Sequence, residues 1–395
     1  MENRGLGIHV ELTSNCQSRC LDCGRFIAGS DTINPHVDIG SKGNISMDAI
    51  ANIFDNDTSA NVRYVNFTGT YGEATMHHQF FEILHFIADK VETQKDHRVA
   101  KGLAPTVCFM IETNGGLHDP DYWKQLATIV KERFHPSSRF IFGIDGIDDK
   151  THQMYRRGVN LNQLFSNALA VIAVGVNAEW SMIKFTHNEH QFATAALMAT
   201  ELGFTKFSTR RSRLRNVLPG ESRPIRNIDQ KKKSISKVPV YMDKADENPS
   251  PPRKKDFYWD KPVPDYINET EVICEWKKKN NISIDYTGRV WQCCYFSTFY
   301  HSPVEWWQKD LIDKLDVNAI VQRFENLEYY ETKYNDGWNN VNLIPLSEIL
   351  AHQFFITDLP ASVNNKTDDD VNPRIFRCGK FCGGNSRKID KEQHD

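Results

Sequence analysis

Three cysteines near the amino terminus are the residues whose spacing most clearly points to chemistry. Cys16, Cys20 and Cys23 form the pattern C-x3-C-x2-C. Deprotonated thiolates bind soft metals, so a zinc ion and an iron–sulfur cluster are the two candidates. Closed sites of both kinds normally have four ligands. Three protein ligands would leave one metal with an open position, where a further molecule could bind and react.

A second group of cysteines lies toward the carboxyl terminus. Cys274 is followed by thirteen residues, Gly288, four more residues and Cys293, and later by Cys378 and Cys382 in a C-x3-C pattern. Four thiolates are enough to close a structural zinc site or to ligate a cluster completely. Cys294 stands next to Cys293 and could replace it as a ligand.

The bulk composition is that of an ordinary globular protein. The 395 residues are 40% hydrophobic and 25% charged, and the net charge is −3. This balance gives no overall attraction to nucleic acid or to a membrane, and the length predicts two or three domains. The amino terminus has no apolar signal region, and no apolar run is long enough to cross a bilayer. We therefore expect a cytoplasmic protein with no membrane partner, in which the nine cysteines are metal ligands or free thiols.

The cysteine triplet follows the first of six predicted strands. These strands are 7–12, 62–67, 107–113, 140–145, 179–185 and 206–209. Helical patterns lie between them, at 47–54, from Phe80 onward, and at 121–133, 161–174 and 189–202. Strands that alternate with helices predict an α/β fold with a parallel sheet, here a partial (β/α)6 TIM-like barrel. In such folds the site gathers at the carboxyl ends of the strands, which is where the triplet lies.

The segment 11–23 resembles the signature loop of radical S-adenosylmethionine (radical SAM) enzymes, and the resemblance extends over roughly 7–209. Thr68-Gly69-Thr70-Tyr71-Gly72-Glu73-Ala74 is similar to the glycine–glutamate motif of the family. Asn114 in Thr-Asn-Gly and Asp145 in Ile-Asp-Gly stand after the third and fourth strands, as the family pattern has them. One departure is Gly143, because a serine is common at this position.

The resemblance implies the cofactors and the roles of several residues. Cys16, Cys20 and Cys23 would hold three irons of a 4Fe–4S cluster, and S-adenosylmethionine would chelate the fourth. Reductive cleavage of this cofactor gives a 5′-deoxyadenosyl radical, which abstracts hydrogen from a substrate. Gly72, Glu73, Asn114 and Asp145 would form the cofactor site, with Glu73 at the methionine amino group. Arg156 or Arg157 is a candidate for the cofactor carboxylate. The alternatives are a helix N-terminal acid for Glu73, turn chemistry for Asn114 and a solvent-facing arginine.

The second cysteine group resembles the auxiliary-cluster domain of SPASM and Twitch radical enzymes. The segment 285–293 is similar to the β-hairpin of that domain, with its turn at Thr287-Gly288, and 345–350 is similar to the helix before its last cysteines. Four cysteines fit the shorter Twitch form, which holds one cluster. Such a closed 4Fe–4S cluster could accept an electron from a substrate radical. If one cysteine is not a ligand, the cluster could anchor the substrate instead.

These observations predict a radical SAM core over 1–215, a basic Pro/Lys-rich linker over 216–271 and a small α+β Twitch-like domain over 272–395. Residues 206–279 contain 19 Lys and Arg against 11 Asp and Glu. This excess indicates a solvated connection or a surface for an anionic partner. We expect an external electron donor such as flavodoxin or ferredoxin, and a peptide, amino sugar or nucleotide substrate, with a peptide favoured. The alternative is a zinc-stabilised module that binds nucleic acid through 206–279.

Overall fold

The structure is a computed structural model. It describes residues 5–20, 23–26, 32–35, 37–185, 187–211, 225–226, 235–236, 271–296, 330, 332–366, 369–375, 378–379 and 382. The chain forms two compact units, Met1–Met47 with Ser59–Lys244, and Asp48–Thr58 with Ala245–Asp395. Of the predicted basic linker, only the small ladder of Ile225–Arg226 with Ile235–Ser236, and residue 271, fall within the described residues.

The first unit is built on six parallel strands. They are β1 (Leu6–Val10), β2 (Val62–Phe67), β3 (Cys108–Thr113), β4 (Arg139–Gly143), β5 (Asn177–Lys184) and β6 (Lys206–Arg211). Each strand pairs with the next in chain order, so that Val10 lies opposite Phe67, and Phe67 opposite Ile111. No ladder among the described strands joins β6 back to β1, so the sheet is open. This confirms the predicted α/β fold with a partial barrel.

Helices follow the strands, as parallel connections require. They are α1 (Met47–Ile53), α2 (Asn56–Asn61), α3 (Phe80–Thr93), α4 (Lys95–Ala100), α5 (Pro120–Arg133), α6 (Asp149–Gln153), α7 (Leu161–Val174) and α8 (Phe192–Glu201). Short 3-10 turns occupy Gly40–Gly43, Ala74–Met76 and Glu189–Gln191. The long helices have clear local signals: α7 begins where Asn160 accepts from the Gln163 amide (2.9 Å), and it ends at Gly175, whose φ of 87° suits glycine. None of the described helices is long and apolar enough to cross a membrane.

The two faces of the sheet differ in chemistry. Phe67, Phe109 and Phe140 are buried against one another on one face, with ring centroids 5.5 and 5.3 Å apart. The opposite face carries polar side chains, and there Arg210 of β6 forms an ion pair with Glu112 of β3 (2.8 Å). In a flat sheet these strands would lie about 14 Å apart, at about 4.8 Å per ladder. Their contact indicates that this polar face is concave.

The second unit contains a short antiparallel hairpin, Asn281–Ile284 with Val290–Trp291. Its turn closes where the Gly288 amide donates to the Asp285 carbonyl oxygen (2.9 Å), with φ of 85° at Gly288. Helices of one turn lie at Glu275–Lys278, Leu346–Leu350 and Leu359–Ser362, with a π-helix at Phe354–Asp358. The helix near 346 and the turn at Thr287-Gly288 agree with the prediction, whereas the first strand of the hairpin lies before the predicted segment 285–293.

Candidate active site

The predicted site residues of the first unit lie at one edge of the sheet, because they follow the carboxyl ends of four parallel strands. The cysteine loop follows β1, Glu73 follows β2, Asn114 follows β3 and Asp145 follows β4. Direct contacts join these loops. The Glu73 amide donates to the Asn15 carbonyl oxygen (2.8 Å), and the Asn114 amide donates to the Glu73 carboxylate (2.8 Å).

The three cysteines of the first group lie in one tight loop. The Cys23 amide donates to the Cys20 carbonyl oxygen (3.3 Å), and the Ser18 hydroxyl lies 2.9 Å from the Cys20 sulfur. Burial raises the pKa of Cys16 to about 12 and that of Cys23 to about 11, and the nearby Cys20 adds to both shifts. As free groups these thiols are therefore protonated at neutral pH. A bound metal centre would supply the positive charge that holds them as thiolates.

This donor set fits an iron–sulfur cluster in type and proximity. The described residues include no group of three or more Cys, His, Asp or Glu side chains arranged to hold a single metal ion. In a cluster each thiolate binds its own iron, so the sulfur atoms need not converge on one point. Three thiols in one loop, with mutual electrostatic effects, provide the ligands that an open-sited cluster needs.

Glu73 is buried, with 3% of its surface exposed, and its carboxylate is held on several sides. Oε1 accepts from the hydroxyls of Thr113 (2.8 Å) and Thr75 (3.2 Å), and Oε2 accepts from the Asn114 amide (2.8 Å). Burial raises the pKa of Glu73 above its usual range, while the hydrogen bonds from Asn114 and Thr113 oppose this shift. A cationic group bound beside it would favour the charged form further.

Asn114 combines a turn role with a contact to the cysteine loop. Its Oδ1 accepts from the Gly116 amide (3.0 Å), which is turn chemistry. The same oxygen accepts from Nε2 of Gln17 (2.7 Å), and its Nδ2 lies 3.7 Å from the Cys16 sulfur. The turn role of Asn114 is therefore confirmed, and its place at the cofactor stays a prediction. Gln17 was not identified as a site residue from the sequence. Its position inside the cysteine loop was the only sequence feature that could have indicated this role.

Asp145 and Arg156 form a buried ion pair. Asp145 has no exposed surface; its Oδ2 accepts from Nε of Arg156 (2.7 Å) and its Oδ1 from the Ile183 amide (2.5 Å). Burial by itself lowers the pKa of Arg156, but Asp145 and Cys20 together raise it above its ordinary value. The guanidinium thus lies within electrostatic reach of the cysteine loop. Arg157 instead contributes its carbonyl oxygen, which accepts from the Arg19 amide (2.8 Å).

Gly143 explains why the arginine fits. A Cβ at this position would overlap Nη2 of Arg156 and would lie 2.7 Å from its Cζ. The serine that is common at this position would therefore displace the guanidinium. Glycine in place of serine at position 143 therefore leaves the space that the guanidinium of Arg156 occupies.

Gly72 lets the loop after β2 pack against the loop after β1. A Cβ at Gly72 would overlap the carbonyl oxygen of Thr13. The Gly72 amide also donates to Oε1 of Glu11 (3.2 Å), which accepts from the Tyr71 amide as well (2.5 Å). These contacts give Gly72 and Glu11 the task of setting the distance between the two loops.

The cysteines of the second group are neighbours within the second unit. Burial raises the pKa of Cys293 and of Cys378 well above the usual value, and Cys274 adds to both shifts. Cys382 acts on Cys378, and Cys294 acts on Cys293. Cys293 and Cys378 also pack in or against a cluster of buried aromatic side chains, formed by Trp291, Phe296, Tyr330, Trp338 and Phe354. The four thiols thus fit a second metal centre in donor type, and Cys294 stays an alternative to Cys293.

Comparison with known proteins identifies the first unit. Residues 10–197 match the family model of the Radical SAM superfamily. A polyhistidine-tagged anSMEcpe with bound AdoMet aligns over 98% of both chains, at 12% identity and a TM-score of 0.46. SuiB of Streptococcus suis aligns over 80% of this chain and 67% of its own, at 13% identity and a TM-score of 0.43. An alignment with native anSMEcpe with bound AdoMet, at 16% identity and a TM-score of 0.38, covers 52% of this chain and 51% of that one. No curated protein matches the sequence. Residues 10–197 therefore form a radical SAM domain.

Proposed function

We propose that this enzyme cleaves S-adenosylmethionine reductively at its cysteine triplet and abstracts a hydrogen atom from a polar substrate. The observation that carries the proposal is that the triplet, Glu73, Asn114 and the Asp145–Arg156 pair lie together at the carboxyl ends of β1–β4, inside the matched domain. A cluster held by Cys16, Cys20 and Cys23 would supply the one electron for reductive cleavage of the sulfonium cofactor, and this chemistry would allow removal of a hydrogen atom from the substrate.

Different residues of the chain bind the cluster and the cofactor in this proposal. Cys16, Cys20 and Cys23 hold three irons. Glu73, fixed by the hydrogen bonds of its neighbours, accepts from the amino group of the cofactor. Arg156 offers its Nη atoms to the carboxylate of the cofactor, because Asp145 takes only the Nε–H. Charge-assisted hydrogen bonds of this kind are strong enough to orient a charged ligand.

The concave face supports a polar substrate. Nε2 of His9 lies 3.0 Å from the Tyr64 hydroxyl, and its Nδ1 lies 3.2 Å from Nδ2 of Asn66. The half-exposed Glu112–Arg210 pair stands on the same face, near the carboxyl ends of the strands. Alternating donors and acceptors of this kind suit a peptide, an amino sugar or a nucleotide better than an apolar compound. A peptide is favoured because the second cysteine group resembles the auxiliary domains of peptide-modifying enzymes.

The second unit is proposed to hold an auxiliary 4Fe–4S cluster. Cys274, Cys293, Cys378 and Cys382 would close it with four ligands. A closed cluster has no open position for a substrate, so its task would be to accept the electron that a substrate radical gives up. The first electron would come from an external donor such as flavodoxin or ferredoxin.

The test is metal analysis and cofactor cleavage after anaerobic reconstitution of the full chain. We expect about eight irons per chain and formation of 5′-deoxyadenosine under a strong reductant. Replacement of Cys16, Cys20 and Cys23 by alanine should abolish cleavage and leave about four irons. Cys108→Ala is the matched control, since this thiol belongs to neither cysteine motif and its sulfur lies 3.6 Å from the Ser137 carbonyl oxygen.

Two results would refute the proposal. Cleavage that persists in the triple variant would remove the role given to the triplet. One or two zinc ions with no iron would favour the alternative, a zinc-stabilised module that binds nucleic acid through 206–279. That alternative is not favoured, because residues 10–197 match an enzyme superfamily.

A further inference from the structure

We propose that Arg25 is a positioning residue that closes the cysteine loop and donates its Nε–H to sulfur of the cluster held there, which makes this cluster easier to reduce. The inference rests on the proposed function, since it assumes a cluster at Cys16, Cys20 and Cys23. It assigns a redox role to a side chain that is not itself a ligand.

Arg25 is buried inside the loop that carries the triplet. Only 5% of its surface is exposed, although it carries a charge. Its Nη1 donates to the Cys16 carbonyl oxygen, and its Nη2 donates to the Ser18 carbonyl oxygen (2.8 Å). The guanidinium also lies over the ring of Phe26, with Cζ 4.8 Å from the ring centroid. One side chain thus ties the end of the loop back to its beginning.

Within the part of the chain that the structure describes, no carboxylate forms an ion pair with Arg25. A buried guanidinium is costly unless its N–H groups and its charge are compensated, and two carbonyl oxygens compensate Arg25 only in part. Arg25 lies in the same loop as Cys16 and Cys23, and its Nη1 donates to the Cys16 carbonyl oxygen. A cluster bound by thiolates would provide the missing negative charge.

The Nε–H of Arg25 also needs an acceptor. This nitrogen is fully buried and has no acceptor among the described residues. Buried donors in native proteins are almost always paired, so a missing acceptor needs an explanation. The other two nitrogens of the guanidinium are held by carbonyl oxygens, which fixes the direction of Nε. A cluster on the neighbouring cysteines would bring sulfur, which accepts hydrogen bonds.

The expected consequence is electrochemical. Hydrogen bonds to cluster sulfur, local charge and exclusion of solvent set the reduction potential of an iron–sulfur cluster. A fixed cation and a donated N–H both stabilise the reduced, more negative state. Removal of the guanidinium should therefore lower the potential. If Arg25 only held the loop closed, its removal would change iron retention and leave the reduction potential of the cluster unchanged.

The test uses the reconstituted full chain in a redox titration followed by electron paramagnetic resonance. The signal of the first cluster is assigned by its change when S-adenosylmethionine is added. Arg25→Gln should shift the reduction equilibrium at least tenfold toward the oxidised form, which is about 59 mV for one electron. Arg19→Gln is the matched control, because it removes the same charge from an exposed position in the same loop. This control should stay within twofold of the wild type, since water screens its charge.

The outcomes separate the inference from the proposed function. If Arg25→Gln keeps its iron and its wild-type potential, the inference is overturned while the proposed function stands. If the wild type holds no iron at the triplet, both fail. If Arg25→Gln loses iron, Arg25→Lys is the second measurement, because it keeps the charge and lacks the Nε–H. Restored iron with a potential below that of the wild type supports the inference, and restored iron with the wild-type potential overturns it.

Discussion

The packing of Arg156 against Gly143 leads to a prediction about how two substitutions combine. A Cβ at residue 143 would overlap Nη2 of Arg156 and would lie 2.7 Å from its Cζ. The guanidinium is the end of a long side chain, so Gly143→Ala is expected to push it aside rather than to distort the strand. The displaced guanidinium would no longer donate to Asp145, which has no exposed surface.

The size of the effect follows from the buried ion pair. A buried carboxylate that loses its partner costs about 3–5 kcal/mol. Replacement of glycine by alanine returns about 0.4–1 kcal/mol through the unfolded state. Gly143→Ala should therefore destabilise the first unit by about 2–4 kcal/mol, and Arg156→Met by about 3–5 kcal/mol. In the Arg156→Met background the thinner side chain leaves room for the new methyl group. The second substitution should then cost less than about 1 kcal/mol.

The assay is a double-mutant cycle on the four chains. The urea dependence of hydrogen exchange in β4 and β5 gives the free energy of unfolding of the first unit without a contribution from the second. The expected coupling is about 1–4 kcal/mol, with the double variant more stable than the sum of the single effects predicts. Single effects that add to within about 0.5 kcal/mol would show that Gly143 and Arg156 do not depend on each other.

Three further predictions concern the same unit. Arg98 is 1% exposed and donates to the carbonyl oxygens of Ser59, Val62, Ala104 and Thr106, so Arg98→Met should leave buried acceptors without donors and cost about 1–3 kcal/mol in urea unfolding. Arg133→Met, which breaks an exposed pair with Asp89, should cost about 0–1 kcal/mol, and equal losses would contradict the argument. Burial lowers the pKa of His152 to about 4, below its unfolded value of about 6.5, so its contribution to stability is full above pH 6.5 and is lost as the pH falls toward 4. Between pH 7 and pH 4 the free energy of unfolding of the wild type should thus fall by about 3 kcal/mol more than that of His152→Asn. Parallel pH profiles of the two free energies would disprove this. Gly72→Ala should reduce 5′-deoxyadenosine formation on the order of 100-fold, because the added methyl group separates the two loops, and undiminished formation would remove that role.

Much of the fold could be predicted because the signals are local. The strand 62–67 and the helix 161–174 agree with the structure at both ends, since each has a clear period and clear end signals. The short helices α2, α4 and α6 were missed. Helices of one or two turns are not stable by themselves, and tertiary contacts decide whether they form. The predicted helix 189–202 begins in the structure as a 3-10 turn, Glu189–Gln191, before α8.

Some features of the candidate site could likewise be predicted from the sequence, and others depend on the fold. The cysteine spacings, the glycine–glutamate motif and the residues after each strand are visible in the chain, because a motif is a short stretch of sequence. Gln17 and Asn114, 97 residues apart, contact each other only because parallel strands end at the same edge. The link between Gly143 and Arg156 likewise depends on where a long side chain lies after the loop following β4 has folded.

The sequence by itself determined the class of chemistry, because metal ligands must have particular donor atoms and neighbouring ligands can share one loop. It also determined the alternation of strands and helices, because hydrophobic period is a local property. Only the tertiary structure decided which charges are paired. Asp145 has Arg156, Glu112 has Arg210 across the concave face, and Arg25 has carbonyl oxygens and, among the described residues, no acceptor for its Nε–H. Burial and distance set these electrostatic relations, and both arise from the curvature of the sheet and the packing of its loops.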